Sequence, residues 1–374
     1  MSKCINNSDN KSLKKNITLN SLGYSPFFEK RRRESGLEDF GIGRVIAEHK
    51  GRYRVMTEQG EFDAEIVGSM RYSAESRSDF PAVGDWVSVT EFGESNMLIH
   101  AIIGRKTVLS RKAVGRRGEE QIIATNIDKS FIVQAIDRDF SINRIERYMA
   151  ICREAGVEPV AILNKTDLIE KEEADRLLAR VKARLGDISV ILFSNNNGCG
   201  LKDLQSHITA NKTYCLLGSS GVGKSTLINT LSGKNVMRTG EIGEIGEGTG
   251  RGKHVTTHRQ LVILEGGGLL IDNPGMREIG MTDLDQGLEL TFDIISEVAE
   301  ECRFSDCTHT GEAGCAVIEA VEDGDISEDS YENFLKMVRE KEHYESTVAE
   351  KRRRGKSFAK MVKQVKKVKE NRRR

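Results

Sequence analysis

No stretch of this 374-residue chain is apolar for long enough to span a bilayer, and no apolar secretory segment follows its start. The first 36 residues are instead rich in Asn, Ser and Lys. These absences speak against export or a helical membrane anchor, and the expected compartment is the cytoplasm, where thiols stay reduced. Without export the seven cysteines read as reduced thiols or metal ligands rather than a disulfide framework, and the missing Cys-x-x-Cys pair speaks against a redox role. Net charge is a further absence, since 57 basic residues balance 57 acidic ones. The balance is uneven. Lys351 to Arg374 holds 13 Lys and Arg against Glu370 alone, so the rest of the chain carries an equal and opposite excess of 12 acidic charges. A basic tail on an acidic body fits a polyanionic partner, nucleic acid ahead of membrane. Within it Phe358, Met361, Val362, Val365 and Val368 recur at helical spacing between lysines, a pattern suited to RNA or a membrane surface.

With 38% hydrophobic and 30% charged residues the composition is that of a globular protein, and the length fits two or three domains. From Gly41 to about Thr107, short runs of β-formers such as Tyr53–Met56 and Trp86–Val89 alternate with Gly and Asp turns. That spacing predicts a small barrel, for which an OB-fold is the commonest nucleic-acid-binding case. A barrel that only packs on its neighbour fits equally well. From Ser130 the texture changes to strand–helix alternation, which implies a parallel sheet covered by helices. Leu261–Glu265 and Leu269–Asp272 read as an antiparallel hairpin at its edge. The expected division is a polar leader over 1–36, open to disorder, an OB-type barrel over 37–108, and an α/β P-loop domain over 109–290. A mainly helical metal-binding domain over 291–350 and the basic tail over 351–374 complete it.

Gly218-Ser219-Ser220-Gly221-Val222-Gly223-Lys224-Ser225-Thr226 follows a predicted strand and opens a predicted helix, the context of a phosphate-binding loop. Its backbone N–H groups can point at phosphates from a helix N-terminus. Lys224 adds a point charge at the β- and γ-phosphates, and Ser225 an oxygen for Mg²⁺. Asp272-x-x-Gly275 ends a second apolar strand, placing a carboxylate for Mg²⁺ through water and a glycine N–H for the γ-phosphate. Asn164-Lys165-Thr166-Asp167 supplies base choice. The Asp167 carboxylate can accept from guanine N1–H and N2–H₂, whereas adenine would leave it unpaired, a discrimination of roughly 10⁴-fold. Asn164 ties the loop together, and the Lys165 stem can lie over the purine. The base loop precedes the phosphate loop along the chain, the reverse of the ordinary GTPase order, which marks a circular permutation.

Between Val236 and Thr257 lies a Gly/Glu-rich stretch that reads as a switch ordering around γ-phosphate and Mg²⁺, with Thr256 or Thr257 as the second hydroxyl ligand. One more absence matters here. Met276 stands where many GTPases carry a water-orienting glutamine, so hydrolysis by the chain alone should be slow. His254 either positions the water in its place or is a solvated histidine of the switch. Downstream, Cys302-x₄-Cys307-x-His309-x₅-Cys315 gathers three thiolates and an imidazole, the donor set of a closed tetrahedral Zn²⁺ site.

Together these motifs resemble the circularly permuted, ribosome small subunit-dependent GTPase A family, from about Gly41 to the tail. Pro81-Ala-Val-Gly-Asp-Trp-Val87 is similar to that family's barrel. The resemblance implies an N-terminal OB barrel, a central GTPase and a C-terminal zinc domain. It also implies a monomer with GTP and Mg²⁺ at the loops and one structural Zn²⁺ per chain. Its partners would be the small (30S) ribosomal subunit and its rRNA, with subunit-stimulated hydrolysis of GTP to GDP during late maturation. Two departures stand out. Val255 replaces a first threonine, and Ser194-Asn195 replaces Ser-Ala, which bears on a minor base contact. Other readings are an RNA-binding zinc protein that only senses GTP, and a GTPase that docks on membrane through its tail.

Overall fold

The computed structural model describes residues 17–49, 51–93, 96–112, 120–233, 259–272 and 285–342. Turn-punctuated β-formers build β1 (Gly41–His49), β2 (Arg52–Met56), β3 (Glu61–Ile66), β4 (Trp86–Phe92) and β5 (Asn96–Ile102). Side chains alternate across β2, burying Tyr53 and Val55 while Arg52 and Arg54 face water, because successive residues of a strand point to opposite faces. β1 pairs with both β2 and β4, and β3 with β5, so the five strands close into an OB-type barrel around Val45, Val55, Val87, Val89 and Ile99.

A hairpin of β6 (Val108–Lys112) and β7 (Glu120–Thr125) leads out of the barrel. Then β8 (Lys129–Ala135), β9 (Glu158–Asn164), β10 (Ser189–Leu192), β11 (Thr213–Leu217) and β13 (Leu269–Asp272) lie parallel in the order β10-β9-β8-β11-β13. β8 and β9 are buried along nearly their whole length because helices cover both faces of the sheet, Ile142–Glu154 and Lys171–Leu185 among them. Cys152 and Cys215 are fully buried in this core, as their positions in the sequence suggest.

Two expectations need correction. The hairpin of β12 (Arg259–Ile263) and β13 is antiparallel, but it does not end the sheet. β12 pairs on its other side with β1, so barrel and α/β domain share one 11-stranded sheet. The leader is also folded from residue 17 on. Its apolar residues supply the reason: Leu22 and Phe28 are buried, and Tyr24 and Phe28 pack on the fully buried Trp86 of β4. Pro26 starts the helix Pro26–Glu34, where its missing N–H costs nothing.

Arg44 of β1 lies 1% exposed where leader, barrel and α/β domain meet. Its guanidinium donates to the carbonyls of Leu22 and Gly84 and to Thr213 Oγ1, and it covers the Trp86 ring at 5.5 Å. The helices Asp293–Ala299, Ala316–Asp323 and 328–342 form the C-terminal lobe. This lobe meets the α/β domain at the buried Glu146, which accepts from Asn333 of the lobe and from Arg184.

Candidate nucleotide and metal sites

All loops of the nucleotide site leave the carboxyl ends of parallel strands, where open α/β sheets bind ligands. β11 runs into Gly218–Gly223, and the helix Lys224–Ser232 starts at once. Lys224 Nζ lies inside the curl of the loop, donating to the carbonyls of Gly218 at 2.7 Å and Ser219 at 2.5 Å. Ser225 sits in the first helical turn, and the buried Asp272 ends β13, next to β11 in the sheet. A hydroxyl and a carboxylate so placed suit a hard divalent cation at phosphate oxygens.

The base loop leaves β9. Asn164 is fully buried: its Oδ1 accepts from the Lys165 N–H, and its Nδ2 donates to Val222 O at 2.7 Å. The asparagine thus joins base loop to phosphate loop. Gly223 is required there, since its φ is +95° and a Cβ would come within 2.3 Å of Asn164 Nδ2. Lys165 adopts φ +66°, and its ammonium is held by Asp137 at 3.0 Å. Thr166 Oγ1 donates to Phe193 O, tying the base loop to the loop after β10.

That second loop carries residues whose part was missed in the sequence. Ser194 Oγ donates to Asp167 Oδ1 at 2.5 Å, and Asn196 Nδ2 donates to Asp167 Oδ2 at 2.7 Å. The Ser194 hydrogen bond is the largest of the influences that hold the Asp167 carboxyl below the usual range, so it is ionised and acceptor-only. Asn195, flagged as a departure beside the base, sends Nδ2 to Gly223 O at 3.2 Å and so forms a second tie to the phosphate loop. The only sequence signal was a run of asparagines, which by itself reads as a turn. His254, Thr256, Thr257 and Gly275 lie outside the described residues, as do Val255, Met276 and the tail 351–374.

In the C-terminal lobe, the donor atoms of Cys302, Cys307, His309 and Cys315 all lie within 4.8 Å of one another. Cys302 Sγ is 3.9 Å from Cys315 Sγ, and the two sulfurs are 3.6 and 3.5 Å from His309 Nδ1. Ordinary Zn–S and Zn–N bonds at tetrahedral angles require about 3.8 and about 3.5 Å. The four residues therefore fit a four-coordinate metal ion. Glu312 braces the turn that carries His309 by accepting from the N–H groups of Thr308, Thr310 and Gly311. The barrel presents Tyr72, 94% exposed, beside exposed Arg71 and Arg77, an aromatic and basic spot of the kind on which bases stack.

Comparison with known proteins agrees with this geometry. The family description "RsgA GTPase" matches residues 102–282. A second, "ABC transporter", matches residues 201–372, a stretch that has the phosphate loop but omits Asn164–Asp167. Among the described residues no helix is long and apolar enough to cross a membrane. Small ribosomal subunit biogenesis GTPase RsgA 1 of Bacteroides thetaiotaomicron is 39% identical over 358 residues, 95% of this chain and 99% of the relative. RsgA 2 of Vibrio vulnificus is 37% identical over 348 residues, 93% of this chain and 95% of its own. The crystal structure of YjeQ from Thermotoga maritima superposes with a TM-score of 0.60 at 26% identity, over 80% of this chain and 98% of that one. YloQ, described as a circularly permuted GTPase, shares the fold with a TM-score of 0.58 at 24% identity, over 81% and 96%.

Proposed function

This chain belongs to the RsgA GTPase family, and on that premise we propose that it hydrolyses GTP to GDP and phosphate while assisting late maturation of the small (30S) ribosomal subunit. The reading places it in the cytoplasm, as a monomer whose hydrolysis is stimulated by the subunit. One observation carries it above the rest: Asn164 ties the base loop, and Asn195 the loop after β10, to the phosphate loop, so a single guanine nucleotide can bridge base and phosphate sites.

In this reading the Gly218–Thr226 amides and Lys224 hold the phosphates, and Asp167 reads the base. Ser225 and Thr256 or Thr257 would hold Mg²⁺, with Asp272 acting through water. Bound there, Mg²⁺ supplies charge neutralisation at the β- and γ-phosphates. Gly275 offers its N–H to the γ-phosphate. A water oxygen bonds to the γ-phosphorus as the bond to the β–γ bridging oxygen breaks, and the water's proton is released. Met276 cannot orient that water, and His254 is the side chain assigned to it. Contacts with the subunit's rRNA through Tyr72, the C-terminal lobe and the tail order the switch, and that ordering completes the site. Cys302, Cys307, His309 and Cys315 hold one structural Zn²⁺.

The test is kcat with and without 30S subunits, together with Asp167→Asn. The subunits should raise kcat far more than free RNA does. The variant should lose GTP and gain xanthosine triphosphate, whose C2 carbonyl can accept from the new amide. If 30S leaves the rate of the intact protein unchanged, the assembly-factor mechanism fails and a GTP-sensing, RNA-binding zinc protein takes its place.

A further inference from the structure

Resting on the guanine-nucleotide reading of the site, we propose that this chain also binds and hydrolyses inosine nucleotides, and that Asn196 admits them. Hypoxanthine keeps the N1–H and the C6 carbonyl of guanine but lacks the C2 amino group. In a pocket where the carboxylate alone meets the base edge, the missing amino group leaves one oxygen short of a donor, and such a site rejects the analogue. Here the chain carries a donor of its own. Asn196 Nδ2 already stands 2.7 Å from Asp167 Oδ2, while Ser194 holds Oδ1.

The loop fixes that donor in place. Ser194 Oγ accepts from the N–H groups of Asn196 at 3.1 Å and Asn197 at 3.4 Å, which directs its own hydrogen at Asp167. Gly198 N–H returns to Ser194 O, and Ser194 N–H to Cys199 O, each at 3.0 Å, closing the loop on itself. Gly200 permits the closure: its φ is +77°, and a Cβ would lie 1.9 Å from Leu192 O. The Asn196 side chain is meanwhile exposed, so moving it into water costs little. With guanine, the C2 amino group takes the place of the amide, which swings out. With hypoxanthine, the amide stays and supplies the second donor. Hydrolysis then runs as for GTP: water oxygen bonds to the γ-phosphorus, the bond to the β–γ bridging oxygen breaks, and inosine diphosphate, phosphate and a proton result.

The experiment measures GDP and IDP affinities by calorimetry, and kcat/KM for GTP and ITP, on the full chain and on Asn196→Ala and Asp167→Asn. A hydrogen bond to an exposed carboxylate sits at the weak end of charge-assisted bonds, so Asn196→Ala should raise the preference for GDP over IDP about tenfold. The kcat/KM ratio should move by the same factor, because the bond persists from ground state to transition state. A ratio that moves less than twofold, or affinities that fall together for both nucleotides, overturns the proposal. Asp167→Asn separates the two levels. If it leaves GDP affinity intact, the guanine reading itself fails. If it behaves as expected while Asn196→Ala leaves the ratio alone, only the inosine proposal falls.

Discussion

The central GTPase domain is joined to its two neighbours by different physics. Toward the barrel the joint is made of backbone. β1 continues the sheet through Ala47↔Gln260 and Glu48↔Arg259, and Thr125 N–H reaches Val83 O. Arg44, buried inside it, is met by carbonyl and hydroxyl oxygens, with Asp128 and Asp85 acting only from a distance. Burial lowers its guanidinium to about 10, which still leaves it charged at neutral pH. Toward the C-terminal lobe the polar part of the joint is made of side chains. Arg184 meets Glu146 at 2.8 and 2.9 Å, Asn333 donates to the same carboxylate, and Arg147 pairs with Glu340. A shared sheet cannot pivot without breaking its register. A charged joint can be re-formed, and it responds to protons. The barrel should therefore move with the GTPase sheet, and the C-terminal lobe is the part whose attachment can be tuned.

Removing the metal is the strongest way to break this comparison. Cys307→Ser, or chelation, should cost the lobe on the order of 10 kcal/mol, since binding of a structural Zn²⁺ is itself folding free energy. Metal analysis should find about one zinc per chain before the change. Hydrogen exchange should then rise across 293–342 and not in the barrel. Equal loss of protection in the barrel would show that the two joints are not independent.

Arg184→Ala comes next. It leaves the Glu146 carboxylate buried with Asn333 alone, and breaking a buried pair in this way costs about 3–5 kcal/mol. Burial already pushes the Glu146 carboxyl above the ordinary carboxylate range, against the pull of Arg184. A carboxyl raised in this way binds protons more readily in the folded than in the unfolded chain, so stability is gained as pH falls through the folded value. Loss of Arg184 raises it further. Urea unfolding should therefore show the largest deficit near neutral pH and a shrinking one on acidification, relative to wild type at the same pH. A deficit independent of pH would mean that Glu146 is not the group left uncompensated.

The nucleotide loops and the metal ligands could be read from the sequence because each is short and local. Seven contiguous residues from Gly218 to Lys224 fix a phosphate loop, and Cys302 to Cys315 hold their ligands within one turn of chain. The two joints could not be read that way. β1 meets β12 across more than 200 residues through two residue pairs, and nothing in either strand marks its partner. Arg44, in a pattern of alternating β-formers, reads as a solvent-facing arginine. It is buried because the leader folds over it, and the leader's polar composition hides Leu22, Tyr24 and Phe28. Asn196 carried no signal, since it matters only where the loop after β10 crosses the base loop.

The smallest of these effects tests the backbone joint through Arg44. Arg44→Met keeps the length and apolar stem of the side chain, and so much of its packing on Trp86. What it removes are the donors to Leu22 O, Asn126 O and Thr213 Oγ1, whereas Gly84 O keeps the Asn126 amide at 3.0 Å. Each buried acceptor left unpaired costs about 1–3 kcal/mol. The gain from no longer burying a cation offsets part of that, so a net loss of about 2 kcal/mol is expected. Because no carboxylate in contact titrates with Arg44, the loss should hold steady over the pH range in which the Arg184→Ala deficit shrinks. Hydrogen exchange should rise first in 17–34, which hangs on the Leu22 carbonyl, while the β1–β12 amides stay protected. If those amides open together with the leader, Arg44 is what holds the sheet continuous, and the contrast between a backbone joint and a charge joint disappears.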